Sequence, residues 1–204
     1  MRLFVGLRPS AEFRNALTDL QAGLRSAGVA GRWMDSSNLH MTLAFIGEWP
    51  ENVVSVLPEV TRPFSVTLSH IGVFPEAKVL WAGVGNSEAL NLLAERVRHE
   101  LAGNSIPFDP KPFKPHITLV RKPLVPASLD LSEITLPAVS MIVKEVCLYR
   151  SVHGENGMAY TVIGSSRKTP GNWEKKADKK PDETGEFCDR RMKRNADKTE
   201  NDSF

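Results

Sequence analysis

Apolar residues recur along the chain with two different periods, and the switches between them divide it into elements. RLFVGLR (residues 2–8) is a continuous apolar run, the pattern of a short buried strand. Phe13, Leu17, Leu20 and Leu24 follow at spacings of four, three and four, which places them on one stripe of a helix running to about Ala27. Ser10 stands as its N-cap with Pro9 just outside, and Gly28 and Gly31 end it. A strand is expected at 39–46 and a short helix at 51–59. FSVTLSHIGVF alternates, and KVLWAGV forms a second strand after the turn around Pro75–Ala77. Leu90, Leu93, Val97 and Leu101 mark a second amphipathic helix over 87–102, capped by Ser87 and stopped by Gly103-Asn104. PFDPKPFKP is a proline-pinned extended approach to a strand at 116–121, and further strands are expected near 133–142, 145–152 and 157–164. The last two are joined by the hairpin loop HGENG. Strands interspersed with helices indicate an α/β or α+β layered fold.

The two halves echo each other: strand, amphipathic helix, extended approach, then His-x-Thr-Leu, first at His40 and again 76 residues later at His116. This weak internal repeat suggests two pseudo-symmetric lobes around a central cleft, each presenting one motif strand. Side chains alternate along a strand, so His40 and Thr42 share a face, as do His116 and Thr118. A single histidine on a strand is ordinarily a satisfied core or edge residue. Polar pairs are costly to bury without partners, however, and the same pair written twice in matching context argues for a shared site. Two imidazoles and two hydroxyls suit a phosphodiester. A neutral histidine takes a proton from the attacking oxygen, a protonated one gives a proton to the leaving oxygen, and hydroxyls donate to the non-bridging oxygens.

Composition narrows the partners. Residues 1–166 hold 15 basic and 15 acidic side chains, so the chain's net charge of +2 comes from residues 167–204. The folded part lacks the global basic signature of a sequence-independent nucleic-acid binder, and any RNA contact should be local. The charged tail, 166–204, has no helical or alternating pattern and is expected to be disordered, leaving residues 1–165 as the folded domain. The longest apolar runs fall far short of the roughly 20 residues of a membrane span. Two cysteines, Cys147 and Cys188, make neither a disulfide framework nor a metal spacing, so a cytoplasmic protein without membrane contact is expected.

RLFVGL, RWMDSSNLHMTLAFIGE, the FP followed by KVLWAGV, PFKPHITLVR and EVCLYRSVHGENGMAYTVIG together resemble the two-histidine phosphoesterases, and within them the RNA 2′,3′-cyclic phosphodiesterases, also called 2′-5′ RNA ligases. The resemblance covers about residues 1–165, with 51–59 shorter than the helix expected there. It implies a bilobal fold, each lobe an antiparallel-rich sheet with flanking helices. It also implies hydrolysis of a 2′,3′-cyclic phosphate to a 2′-phosphomonoester, with His40 as proton donor and His116 as proton acceptor. Thr42 and Thr118 would bind the phosphate. Reversal would join a cyclic-phosphate end to a 5′-hydroxyl as a 2′-5′ linkage. Arg121 and Phe45 match further family positions, five residues after each histidine, as contacts to substrate and base. Strict alternation would point both away from the His/Thr face, so their use requires a bulge, a twist or a reach around the strand edge.

No cofactor and no metal are expected, since neither motif is accompanied by Asp, Glu or Cys at ligand spacing. The partner is RNA or an oligonucleotide with a cyclic-phosphate end, and the protein is expected to be a monomer. The alternatives are the same fold acting on small cyclic nucleotides or ADP-ribose cyclic phosphate, and a non-catalytic RNA-end binding module. His70, on an alternating strand, reads as a core or edge residue; His99 and His153 read as solvated, and Trp33 and Trp81 as packing residues.

Overall fold

The first apolar run pairs on both sides, as a central strand must. In the computed structural model, which describes residues 1–50, 52–85, 87–154 and 157–167, it becomes β1 (Arg2–Leu7). The helix that follows, α1 (Ala11–Ser26), begins where the Ser10 hydroxyl accepts from the Phe13 N–H at 3.2 Å. Such a cap is worth about 1 kcal/mol against alanine. Phe13, Leu17, Leu20 and Leu24 are all buried on its inner stripe, as the spacing requires. β2 (Ala30–Trp33) and β3 (Met41–Glu48) come next, then β4 (Phe64–Phe74) and β5 (Val79–Val84). α2 (Glu88–Gly103) repeats the design of α1: Ser87 accepts from the Leu90 N–H at 3.2 Å, and Leu90, Leu93, Val97 and Leu101 are buried. β6 (His116–Leu124), β7 (Ser140–Val143), β8 (Cys147–Gly154) and β9 (Gly157–Ser165) complete the fold.

Three expectations change. The helix expected at 51–59 is absent from its described part, residues 52–59, which holds only a 3-10 turn at Val54–Val56. Pro50 and Pro58 bracket too few residues to nucleate a helix, and three of those between are valines, which lose rotamer freedom in one. The strand expected at 133–142 shrinks to β7, preceded by a 3-10 turn at Leu131–Glu133. Pro137, which has no N–H to give a ladder, lies between them. β2 was not anticipated because AGRW has no alternation to betray it; backbone pairing with β6 makes it a strand. The expected tail, beyond Ser166 and Arg167, lies outside the described residues.

The strands form two sheets with every pairing antiparallel: β3-β1-β8-β9, and β2-β6-β5-β4-β7. In each half of the chain a strand leads through a helix to an antiparallel neighbour, β1 to β3 across α1 and β5 to β6 across α2. The helices then cross over. α1 hydrogen-bonds to β6 through Gln21, and α2 to β3 through Arg98. Phe13, Leu17, Leu24, Leu90 and Leu101 from the helices share one core with Leu3, Met41, Leu43, Leu80, Ile117 and Leu119 from the strands. Each motif strand is therefore supported from behind by the helix of the other half.

Candidate active site

His40 lies one residue before β3 and His116 opens β6, and the backbone grips both in the same way. The Nδ1 of His40 lies 2.6 Å from the Asn38 carbonyl oxygen, and the Nδ1 of His116 lies 2.7 Å from that of Lys114. In both cases the acceptor is two residues back. With Nδ1–H donating to a carbonyl, Nε2 is left as the nitrogen that can exchange a proton with a substrate. Asn38 is itself stitched to β9: its side-chain amide donates to the Met158 carbonyl at 2.9 Å and accepts from the Tyr160 N–H at 3.0 Å. The carbonyl that orients His40 thus hangs from the C-terminal hairpin, a link that no local pattern around His40 announces.

Both rings stand in aromatic surroundings. His40 packs against Phe4 and Tyr160 at 4.6 and 4.8 Å between ring centroids, and His116 packs edge-on to Phe74 at 5.0 Å. Burial pushes His40 down to about 4; the nearby charges of Arg121 and His116 add to this, and the bond to the Asn38 carbonyl opposes it. His116 is also lowered by burial, against the pull of the Lys114 carbonyl. β3 and β6 come into contact, so the two motif strands adjoin, and the charges of His116 and Arg121 are felt at His40. A cavity of about 120 Å³ is lined by Thr42 and Phe45 from one half and by His116, Arg98 and Phe113 from the other; His40, Thr118 and Arg121 stand outside its lining.

Bulges resolve the alternation problem. Thr42 pairs with Gly6 and Ala44 with Val5, so Leu43 is an extra residue in β3. Thr118 pairs with Trp81 and Val120 with Leu80, so Leu119 is the equivalent extra residue in β6. A single bulge inverts the parity of everything beyond it. Phe45 pairs with Phe4, two residues from Gly6 on regular β1, and so joins the face of Thr42. Arg121 pairs with Val79, two residues from Trp81, and so joins the face of Thr118. All six sequence-singled residues are half-buried, and Phe45 lies beneath the Arg2 guanidinium at 5.1 Å. Among the described residues Arg121 forms no ion pair.

The bulged carbonyls are not left bare. The Leu43 oxygen accepts from Arg98 Nε at 3.2 Å, and the Leu119 oxygen accepts from Gln21 Nε2 at 3.0 Å and the Met34 N–H at 2.9 Å. Gln21 and Arg98 each occupy the eleventh position of their helix. The helical pattern hides them, since each reads as a polar residue on the flank of an apolar stripe. A buried Gln21 is detectable only once α1 is seen against β6. His70, expected in a core or at an edge, is exposed on a stretch of β4 that has left its pairing with β7, and it leans over Gly83, the residue paired with His116. Among the described residues no group of three or more His, Cys, Asp or Glu side chains is placed to hold a metal ion, and no helix is long and apolar enough to cross a membrane.

Comparison with known proteins matches this geometry to a family. The model of the 2′-5′ RNA ligase superfamily fits residues 9–155. The chain is 33% identical over 173 residues to an RNA 2′,3′-cyclic phosphodiesterase of Escherichia coli K12, covering 79% of this chain and 93% of that protein. It is 29% identical over 175 residues to one of Thermotoga maritima, covering 80% and 93%. The crystal structure of E. coli LigT in apo form aligns with a TM-score of 0.67 at 30% identity, over 80% of this chain and 95% of that one. LigT complexed with 3′-AMP aligns with a TM-score of 0.64 over the same shares.

Proposed function

The chain belongs to the 2′-5′ RNA ligase superfamily, and from that membership we propose that it is an RNA 2′,3′-cyclic phosphodiesterase that opens cyclic ends to 2′-phosphomonoesters. The observation that carries the reading is the duplicated grip on the two imidazoles. Each Nδ1 is tied to the carbonyl two residues back, each ring has a threonine two residues on, and each motif strand carries the same bulge. In the reaction a water oxygen bonds to phosphorus as its proton passes to Nε2 of His116. The bond from phosphorus to O3′ breaks, and O3′ takes a proton from Nε2 of His40. Thr42 and Thr118 donate to the non-bridging oxygens, whose charge grows in the transition state. Arg121 supplies a fixed positive charge beside them, and Phe45 a face for a base. Burial disfavours the charged form of both rings in the free protein, and the anionic diester is the charge that favours protonation of one of them.

The test is an assay with nucleoside 2′,3′-cyclic phosphates in excess chelator, the products separated as 2′- and 3′-monophosphates. Turnover to the 2′ product at an undiminished rate is expected. Binding without turnover would identify an RNA-end binding module instead. Loss of turnover in chelator, restored by one divalent ion, would show that proton transfer between imidazoles is not the whole mechanism.

A further inference from the structure

The wall of the cleft beyond His116 carries a second constellation. Gly83 pairs with His116 across β5 and β6. On the other side of β5 the register passes from Leu68 opposite Val84 to Ile71 opposite Ala82, so Ser69 and His70 together face Gly83 alone. Such a two-to-one bulge gives up regular ladder bonds and turns its extra residue out of the strand's alternation. Both side chains lean over the glycine: a Cβ there would come within 2.7 Å of His70 Cε1 and 2.9 Å of Ser69 Oγ. One strand along, Gly72 lets the Trp81 ring lie flat on the sheet, since a Cβ at 72 would meet that ring at 2.3 Å. His70 stands edge-on to Trp81 at 5.0 Å between centroids, and Trp81 in turn lies 6.0 Å from His116. Ser69 Oγ lies 2.9 Å from His70 Nδ1. The third imidazole is thus also held at Nδ1, here by a hydroxyl that can donate as well as accept, and its Nε2 makes no protein hydrogen bond among the described residues. Unlike a core histidine, both Ser69 and His70 are exposed.

We propose that Ser69, His70 and Trp81 form a subsite for a second ribonucleoside, beside the one that carries the cyclic phosphate. The inference rests on the phosphodiesterase reading. β4 lies two strand spacings from β6, roughly 10 Å, which is on the scale of one nucleotide. The surface offers what a nucleoside needs: an aromatic edge and an imidazole face for a base, and a hydroxyl and a ring nitrogen for ribose or phosphate oxygens. A hydrophobic patch would have no use for the Ser69–His70 hydrogen bond, and a phosphate-only site would have no use for the tryptophan. The second nucleoside can enter in two ways: as the residue preceding the cyclic end in a longer RNA, or as an acceptor whose 5′-oxygen replaces water. In the second case the 5′-oxygen bonds to phosphorus as its proton passes to His116, and O3′ leaves with the proton of His40.

The wild type and His70→Ala are compared on a nucleoside 2′,3′-cyclic phosphate, on a dinucleotide ending in a 2′,3′-cyclic phosphate, and on the mononucleotide with excess 5′-hydroxyl nucleoside as acceptor. The expected result is that His70→Ala lowers, by about fivefold or more, either the dinucleotide-to-mononucleotide ratio of kcat/KM or the yield of 2′-5′ dinucleotide per hydrolysed ester. The first locates the preceding residue at the subsite and the second the acceptor. Ser69→Ala should move the same ratio in the same direction. If both ratios are unchanged, or if all activities fall in equal proportion, the subsite is refuted. A wild type that turns over none of these substrates refutes the functional reading itself. A measurement without any variant stands beside this: the His70 imidazole resonances of the wild type should shift with a dinucleotide 2′-phosphate if the subsite holds the preceding residue, or with a 2′-5′-linked dinucleotide if it holds the acceptor, and stay in place with the mononucleotide. Equal shifts with mononucleotide and dinucleotides would count against a second nucleoside there.

Discussion

The aromatic rings and backbone around both motif imidazoles strip away part of the water that would solvate an imidazolium, which lowers His40 to about 4 and His116 below the ordinary imidazole value. That sets the expected pH dependence. kcat/KM reports the free enzyme. It should fall towards low pH as the base gains a proton, and towards high pH as the acid loses one. Both limbs depend on values lowered from that of a free imidazole, so the maximum should lie on the acid side of about 6.5. Once the diester anion is bound the values rise, so the profile of kcat should be displaced to higher pH than that of kcat/KM. Superimposable profiles, or a kcat/KM that climbs steadily through pH 8, would exclude a pair of buried imidazoles as acid and base. His40→Ala or His116→Ala should lower kcat by roughly 10²–10⁴. The double variant should be far less than multiplicatively worse, because the two act in one displacement.

At the scale of elements the decisive feature is the extra residue three places after each motif histidine. Without the bulge at Leu43, Phe45 would face the core, and without the bulge at Leu119 so would Arg121. A bulge leaves a carbonyl outside the ladder, and each is satisfied by the eleventh residue of the opposite helix. Arg98 also donates to the Lys111 carbonyl at 2.9 Å, on the approach to His116, so one side chain braces both halves of the site. Arg98→Met removes these donors and should destabilise the protein by about 1–3 kcal/mol, the usual range for hydrogen bonds to a charged group. It should also lower kcat/KM about tenfold or more, as the bulge relaxes and Phe45 loses its place. Arg96→Met, on the same helix with its guanidinium 3.4 Å from the Glu59 carbonyl, should leave kcat/KM within about twofold. Thermal melts with steady-state kinetics on both variants check this. A lowered Tm with unchanged kcat/KM in Arg98→Met would confine the residue to stability.

For the molecule as a whole, the last described anchor is Ser166, a buried residue whose N–H donates to the Val146 carbonyl at 2.8 Å while its hydroxyl accepts from the Val146 N–H at 3.0 Å. A chain ending after Arg167 should keep this clasp and turn over a mononucleotide as the full chain does, because the apolar residues of the charged remainder are isolated and without helical or alternating pattern. A tenfold fall in its kcat/KM, about 1.4 kcal/mol of lost transition-state stabilisation, would show that the tail takes part in the site. A chain ending before Ser165 should be less stable, since it loses the clasp and part of β9. Much of this molecule is legible in its sequence because the signals are local. Helix stripes, serine caps and strand alternation are each written within a few residues, and the repeated His-x-Thr marks two equal strands in need of a common purpose. Other features depend on pairing between residues far apart in the chain. Register with β1 and β5 creates the bulges that turn Phe45 and Arg121 to the site, and pairing with β6 makes a strand of AGRW. A glycine opposite His116 lets His70 stand beside the cleft rather than within a core. The sequence by itself determined both helices, most of the strands and the residues able to carry the chemistry; only the tertiary structure decided that AGRW is a strand, which way those residues face and how readily they hold a proton, because pairing, register and burial are properties of two strands together and of neither alone.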